Sequence, residues 1–229
     1  MIDKILEHAK QEYPRESCGV VIIFKGREKY IPCRNIAEGQ DHFIIHHEDY
    51  SNAEDMGEII KIVHSHPSTN PQPSQPDLVG IENSQLPWVI INPLTEQWTE
   101  TKPSGYKAPL VGRVFSPGIL DCYSIIRDYY KEILNIDIPD FERTDNWWAK
   151  GQNLYIDNFE KAGFIQVNDL REHDVIIMYN GSNIPNHGAV YLGNGAILHH
   201  PQGRLSSRDV YGGYWLKNTK LIVRHKQLL

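Results

Sequence analysis

The sequence predicts an α+β protein of two domains, and three observations carry that expectation. At 229 residues the chain exceeds the roughly 100–200 of a usual single domain. The stretch KPSGYKAPLVGR, residues 102–113, is rich in Pro, Gly and Ser, has neither helical nor alternating periodicity, and reads as a linker. The patterning differs on its two sides: strands and helices interleave before it, whereas helices precede antiparallel strands after it. The expected boundaries are 1–101 for the first domain, 102–113 for the linker and 114–229 for the second domain.

In the first domain, IDKILEHAK sets Ile2, Ile5, Leu6 and Ala9 on one helical face, and Pro14 ends that helix before the apolar strand CGVVIIF. Strands are expected at KYIPC and HFIIH, a helix over SNAEDMGEII, and a strand at KIVHSH. After a proline-rich loop comes a strand at PWVIINP. In the second domain, DCYSIIRDYYKEIL carries Ile125, Ile126, Tyr129, Tyr130, Ile133 and Leu134 at helical spacing, and a further amphipathic segment begins near Asp157. Strands are expected at DVIIMY, HGAVYLG and AILHH. Asn146-Trp147-Trp148 reads as core.

Composition narrows the function classes. With 40% apolar and 10% aromatic residues the chain can fill one or two cores. A net charge of −6 without a run of Lys or Arg argues against nucleic acid as a partner. The charged N-terminus MIDKILEHAKQEY lacks a secretion signal's apolar stretch, and runs such as VVII are too short to span a bilayer, so intracellular production without membrane insertion is expected. Cys18, Cys33 and Cys122 form no CxxC pair, which fits a reducing compartment.

The segment IVHSHPSTNPQPSQPD carries the first chemical pattern. Residues two apart on a strand project to one side, so His64 and His66 can aim both imidazoles at one point, with Pro67 ending the strand. A catalytic zinc takes three protein ligands, and Asp77 can return to the pair across the proline-rich loop. Ser74-x-x-Asp77 is equally the signature of a helix N-terminus, and both readings can hold together. The full pattern HxHPx6SxxD resembles the JAMM (MPN-plus) metalloprotease signature, with PRESCG supplying the family's upstream glutamate as Glu16. The resemblance implies an α/β/α, cytidine deaminase-like fold and a Zn2+ ion held by His64, His66 and Asp77. It also implies Glu16 as general base for the attacking water and Ser74 as donor to the developing oxyanion. Cys18 reads as a small core residue rather than a ligand, and His46-His47 beside Glu48 and Asp49 as a solvated polar strand edge.

The second pattern centres on Cys122 at the head of an amphipathic helix, where free amides and the helix dipole favour a thiolate. NHGAVYLGNGAILHHP reads as two strands around a Gly-Asn-Gly turn. A two-residue turn puts His200 on the face of His187, and a three-residue turn puts His199 there; Gly193-Asn194-Gly195 suits the second, and both stay open. Asp121-Cys122, the stretch from His187 and ILHHP resemble, in order, the motifs of the NlpC family of papain-like cysteine peptidases. The resemblance implies a papain-like α+β fold, Cys122 as nucleophile, His187 as its base, His199 as the group orienting His187, and peptidoglycan stem peptides as substrate. Tyr123 replaces the small residue usual after the Asp-Cys pair, and Tyr106 is a weak candidate for the upstream aromatic of many relatives.

A JAMM-like unit followed by an NlpC-like unit resembles the tail-tip assembly proteins of long-tailed phages, over nearly the whole chain. That implies phage tail-tip proteins as partners and a location in the host bacterial cytoplasm during assembly, with the virion tail tip as a further destination. The function expected is bifunctional peptide hydrolysis. The alternatives are a tail assembly chaperone or structural tail component with vestigial sites, and, ranked last, an isopeptidase on a ubiquitin-like modifier.

Overall fold

The computed structural model describes residues 1–229 as two compact units, Met1–Lys107 and Ala108–Leu229. Of the segment expected to link them, Ser104, Gly105 and Tyr106 donate their N–H groups to the Glu82 carboxylate of the first unit. Arg113 is fully buried in the second, bonded to the carbonyls of Ala108 and Pro109 and to Asp128.

The first unit runs α1 (Ile2–Glu12), β1 (Cys18–Phe24), β2 (Arg27–Cys33), α2 (His47–Met56), β3 (Glu58–Ser65), α3 (Gln75–Ser84), β4 (Trp88–Ile91) and β5 (Trp98–Thr101). Its sheet has the order β2-β1-β3-β4-β5 and is antiparallel except for the β3–β4 pair. A parallel pair needs a crossover, and α3 provides it. Strand alternation sorts the apolar side chains by face. Val21, Val63, Val89 and Ile91 pack under Ile5 and Ala9 of α1. On the other face Val20 and Ile22 meet Ala53 of α2, and Ile62 and Trp88 meet Ile81 of α3. The result is an α/β/α sandwich in which each buried Ile or Val contributes about 1.5–3 kcal/mol.

Two expected elements differ. HFIIH makes only the single bridge Asn35–Ile45 instead of a strand. The Asn35 side chain takes the groups a ladder would use: its Oδ1 accepts the N–H groups of Ala37 and Ile44, and its Nδ2 donates to the carbonyls of Glu16 and His42. The helix expected over SNAEDMGEII begins earlier, at His47, because the His46 ring accepts from the Glu48 N–H as a cap. It stops at Met56, where a Cβ on Gly57 would come within 2.2 Å of the Ile23 carbonyl, and Glu58, Ile59 and Ile60 belong to β3. His46 and His47 therefore open a helix, with rings stacked at 4.7 Å, and do not line a strand edge.

The second unit contains α4 (Cys122–Leu134), a 3-10 turn (Trp147–Lys150), α5 (Leu154–Asn158), β6 (Phe164–Val167), β7 (Val175–Met178), β8 (His187–Tyr191), β9 (Ala196–His199), β10 (Ser207–Val210), α6 (Gly213–Lys217) and β11 (Thr219–His225). Its antiparallel sheet has the order β10-β9-β8-β7-β11-β6. Ile125, Ile126, Tyr129 and Tyr130 of α4 cover one face over Val175, Ile177, Val190, Leu198 and Val223, with Trp147 in the same core. Trp215 of α6 covers Ile176, Met178, Ala189 and Ile197 on the other. Helices first and antiparallel strands later give the expected α+β order, while the segment near Asp157 forms only the short α5. No helix is long and apolar enough to cross a membrane.

Candidate functional site

The structure gathers the first set of candidate residues at the C-terminal end of β3. With Val63 turned to α1, alternation turns His64 to the opposite face, where its ring stacks on Phe43 at 4.6 Å and meets the edge of Trp88 at 5.4 Å. His66 follows on the same side, its Nδ1 paired with the Asn70 carbonyl at 3.0 Å. That bond places the Nδ1 proton and leaves Nε2 a lone pair. Asp77 arrives from the first turn of α3, where Ser74 is the cap: the Ser74 N–H and Oγ–H donate to Asp77 Oδ2 at 2.7 and 2.6 Å, and the Asp77 N–H returns to Ser74 Oγ. The capping reading of Ser74-x-x-Asp77 thus holds, and the cap leaves the Asp77 carboxylate facing the two imidazoles.

Three donor side chains converge there. His64 Nε2 lies 3.2 Å from Asp77 Oδ1, His66 Nε2 lies 3.2 Å from Asp77 Oδ2, and the two Nε2 atoms are 3.0 Å apart. All three residues are buried, and the group can hold a metal ion. Burial works against charge on Asp77, but the two imidazoles and Ser74 outweigh it and hold the carboxyl well below its usual range. Burial lowers His64, while for His66 the nearby Asp77 outweighs burial and raises it. Glu16, just before β1, is pushed up to about 8 by burial, opposed by His66 and reinforced by Asp77 and Asp41. Ser74 Oγ–H is committed to Asp77, so donation to an oxyanion requires exchanging that bond.

The second set lies where α4 meets β8. Asp121 caps α4, its Oδ1 accepting the N–H groups of Tyr123 and Ser124, and Arg143 holds its Oδ2 at 2.8 Å. Cys122 is the first helical residue. Its Sγ lies 3.8 Å from the Asn186 carbonyl and accepts from Tyr155 O–H at 3.2 Å. The thiol therefore packs on the main chain beside His187, without a hydrogen bond to that ring. The approach depends on Gly188, where a Cβ would come within 2.7 Å of Tyr155 Oη and 2.8 Å of Ile126 Cδ1. Gly188→Ala is expected to push α4 off β8 and cost about 1–3 kcal/mol, read from a chemical denaturation midpoint; an unchanged midpoint removes this role for the glycine.

The thiolate expected from the helix terminus is not what the surroundings favour. Burial pushes the Cys122 thiol up to about 11, and the adjacent Asp121 carboxylate adds to this, while hydrogen bonds from Tyr155 and the Gly188 N–H act in the other direction. The capping carboxylate takes amides that would otherwise stabilise a thiolate. Burial, with His199 and His200 nearby, drives His187 down to about 3, so its ring is neutral at pH 7.

The β8–β9 register decides between the two histidines. Ala189 pairs with His199 and Tyr191 with Ile197, which centres the turn on Asn194. Gly193, Asn194 and Gly195 all have positive φ, a run that needs the two glycines. His199 consequently shares the face of His187, its Nδ1 3.0 Å from His187 Nε2, while His200 faces the other way, edge-on to Phe115. Two neighbours escaped the sequence reading. Asp209 on β10 puts Oδ2 3.0 Å from His199 Nε2, and Tyr155 is the aromatic at the thiol. The alternating polar SRDV of β10 was the only available signal for Asp209; nothing marked Tyr155. Tyr106 lies in the first unit, its N–H on Glu82.

Comparison with known proteins agrees with both units. Residues 1–102 match the model for prokaryotic homologs of the JAB domain, and residues 109–224 match the NlpC/P60 family. A JAB1/MPN domain protein from Archaeoglobus fulgidus is similar at 21% identity and a TM-score of 0.34, over 47% of this chain and 89% of that one. Tail tip assembly protein K of Escherichia phage lambda is 40% identical over 181 residues, covering 78% of this chain and 88% of that protein. The protein of the same name from Escherichia phage N15 is 38% identical over 231 residues, 99% of this chain and 95% of that one. With that identity along nearly the full length of both, the chain belongs to the family of tail tip assembly protein K, a JAB-type domain followed by an NlpC/P60 domain.

Proposed function

We propose that the chain is a bifunctional peptidase acting in phage tail-tip assembly. In this reading the first unit hydrolyses a peptide or isopeptide bond of a tail protein with the help of zinc. The second cleaves peptidoglycan stem peptides with Cys122 and His187. Tail-tip proteins are its partners and the host cytoplasm its place of work, by analogy with the two relatives whose name states the assembly role.

The observation that carries the proposal is the convergence of His64, His66 and Asp77. Ligand bonds of about 2.0–2.1 Å in a tetrahedral arrangement put donor atoms about 3.3–3.4 Å apart. The two Nε2 atoms are 3.0 Å apart and each lies 3.2 Å from a different oxygen of Asp77, spacings close to that, and two imidazoles with one carboxylate suit zinc. Bound there, zinc supplies a Lewis acid for the carbonyl and a water nucleophile near neutral pH. Glu16, which burial raises to about 8, acts as the base in its ionised form, which a cation at the neighbouring histidines would favour, and then takes a proton and returns it to the leaving amine. In the second unit, neutral His187 takes the Cys122 proton as the sulfur attacks.

A second reading, an assembly factor whose thiol site is idle, draws support from one observation: the neutral thiol is bonded to Asn186 and Tyr155. Glu16→Gln and Cys122→Ala, made singly and together, separate the two. The first should lose only tail-protein cleavage and the second only stem-peptide cleavage, while wild-type Cys122 should be alkylated at pH 7 faster than the more buried Cys18 and Cys33. Wild type indistinguishable from the double variant on both substrates, with tails assembling in its presence, sinks the peptidase reading.

A further inference from the structure

The hydrogen-bond chain that begins at His187 does not stop at two histidines. β10 is an edge strand, paired only with β9, and its register sets Ser207 opposite His199 and Asp209 opposite Ile197. Asp209 therefore shares the face of His199, one diagonal step away. Its Oδ2 lies 3.0 Å from His199 Nε2, His199 Nδ1 lies 3.0 Å from His187 Nε2, and both rings are held against Trp215, at centroid distances of 4.6 and 5.2 Å. His187 and His199 are 2% and 0% exposed, so solvent does not compete for these nitrogens.

We propose that Asp209 is a positioning residue of the thiol site, which fixes the direction of every proton in the chain. A carboxylate only accepts, so it holds the His199 proton on Nε2. His199 Nδ1 then carries a lone pair, accepts from His187 Nε2–H, and leaves His187 Nδ1 as the free base. When the Cys122 proton passes to that Nδ1, sulfur keeps the electron pair and His187 becomes an imidazolium. Its charge is balanced through His199 by the Asp209 carboxylate, with no second proton moved. Without the acceptor at Asp209, His199 can carry its proton on Nδ1; that N–H faces His187 Nε2, forces His187 to protonate at Nδ1, and removes the base. This inference rests on the reading of Cys122 and His187 as nucleophile and base.

The test uses the full chain labelled with 15N-histidine. Ring 15N shifts of the wild type should show both His199 and His187 protonated at Nε2. An Nδ1–H form of either ring in the wild type overturns the proposal, whatever the variants do. Asp209→Ala should lose the single tautomer at both rings and slow iodoacetamide alkylation of Cys122 at pH 7 by about 100-fold. Asp209→Asn, whose Oδ1 still accepts, should keep the tautomer and most of the rate. Unchanged ring shifts in Asp209→Ala also overturn it. Failure of the underlying reading looks different: His187→Ala would then leave the Cys122 alkylation rate where it was.

Discussion

Asp77→Asn leaves the chain folded and unable to retain a metal ion. The amide Oδ1 can still accept from the Ser74 N–H, so the capping box that starts α3 keeps its shape. What changes is the side facing the imidazoles, where Asp77 now presents Oδ1 to His64 and Oδ2 to His66. The variant has no negative charge there and turns either an amide donor or a weak carbonyl ligand toward the ion. Metal content after dialysis should fall from about one ion per chain to a small fraction, with the circular dichroism unchanged. Hydrolysis by the first unit should fall about 1000-fold or more, since several kcal/mol of transition-state stabilisation are lost. His66→Ala should do the same. A wild type that binds no zinc, or an Asp77→Asn variant that holds as much as the wild type, removes the metallopeptidase reading.

Arg224→Leu should produce the largest loss of stability. Arg224 on β11 is 4% exposed and Asp174, just before β7, is 0% exposed. They form a bidentate pair, Nε to Oδ1 and Nη2 to Oδ2, both at 2.8 Å, and Nη2 also donates to the Asp169 carbonyl at 3.0 Å. Removing the guanidinium leaves a buried carboxylate with only the Arg171 N–H on its Oδ2 and no countercharge, at a cost of about 3–5 kcal/mol. Replacing both residues by leucine should recover most of this, because no charge is then left unpaired. The damage should reach the thiol site, since the Asp174 carbonyl accepts the Tyr191 N–H at the far end of the strand that carries His187. Chemical denaturation of the full chain decides it: a midpoint within error of the wild type shows that the pair contributes nothing net.

Legibility in the sequence followed the range of the interactions. His64, His66 and Asp77 could be read because period-two alternation and a helix cap are local rules, each complete within a few residues. The core faces of α1 and α4 could be read for the same reason, except for Ile133, expected on the α4 core face but 56% exposed. HFIIH was misread because the side-chain amide of Asn35 takes the His42 carbonyl and the Ile44 N–H, leaving only two main-chain bonds to Arg34 and Ile36, which no hydrophobic pattern reveals. The start of α2 was misplaced because a histidine ring, not a Ser or Asp, is its cap. Asp209 was out of reach because its contact with His199 depends on a third strand laid beside β9. The raised Cys122 thiol was missed because burial where α4 meets β8, its main cause, is a tertiary effect, and because Asp121, read as half of a motif, also places a charge beside the sulfur.

The turn centred on Asn194 has one more consequence. Side chains on a strand change sides with every residue, so the parity of this turn, odd as it stands, selects which of two adjacent imidazoles reaches His187. A chain one residue shorter or longer there would hand the position to His200 and carry His199, with Asp209 beside it, away from His187. Length in this hairpin is thus a constraint in addition to the two glycines its backbone needs, and a single codon gained or lost there is not tolerable.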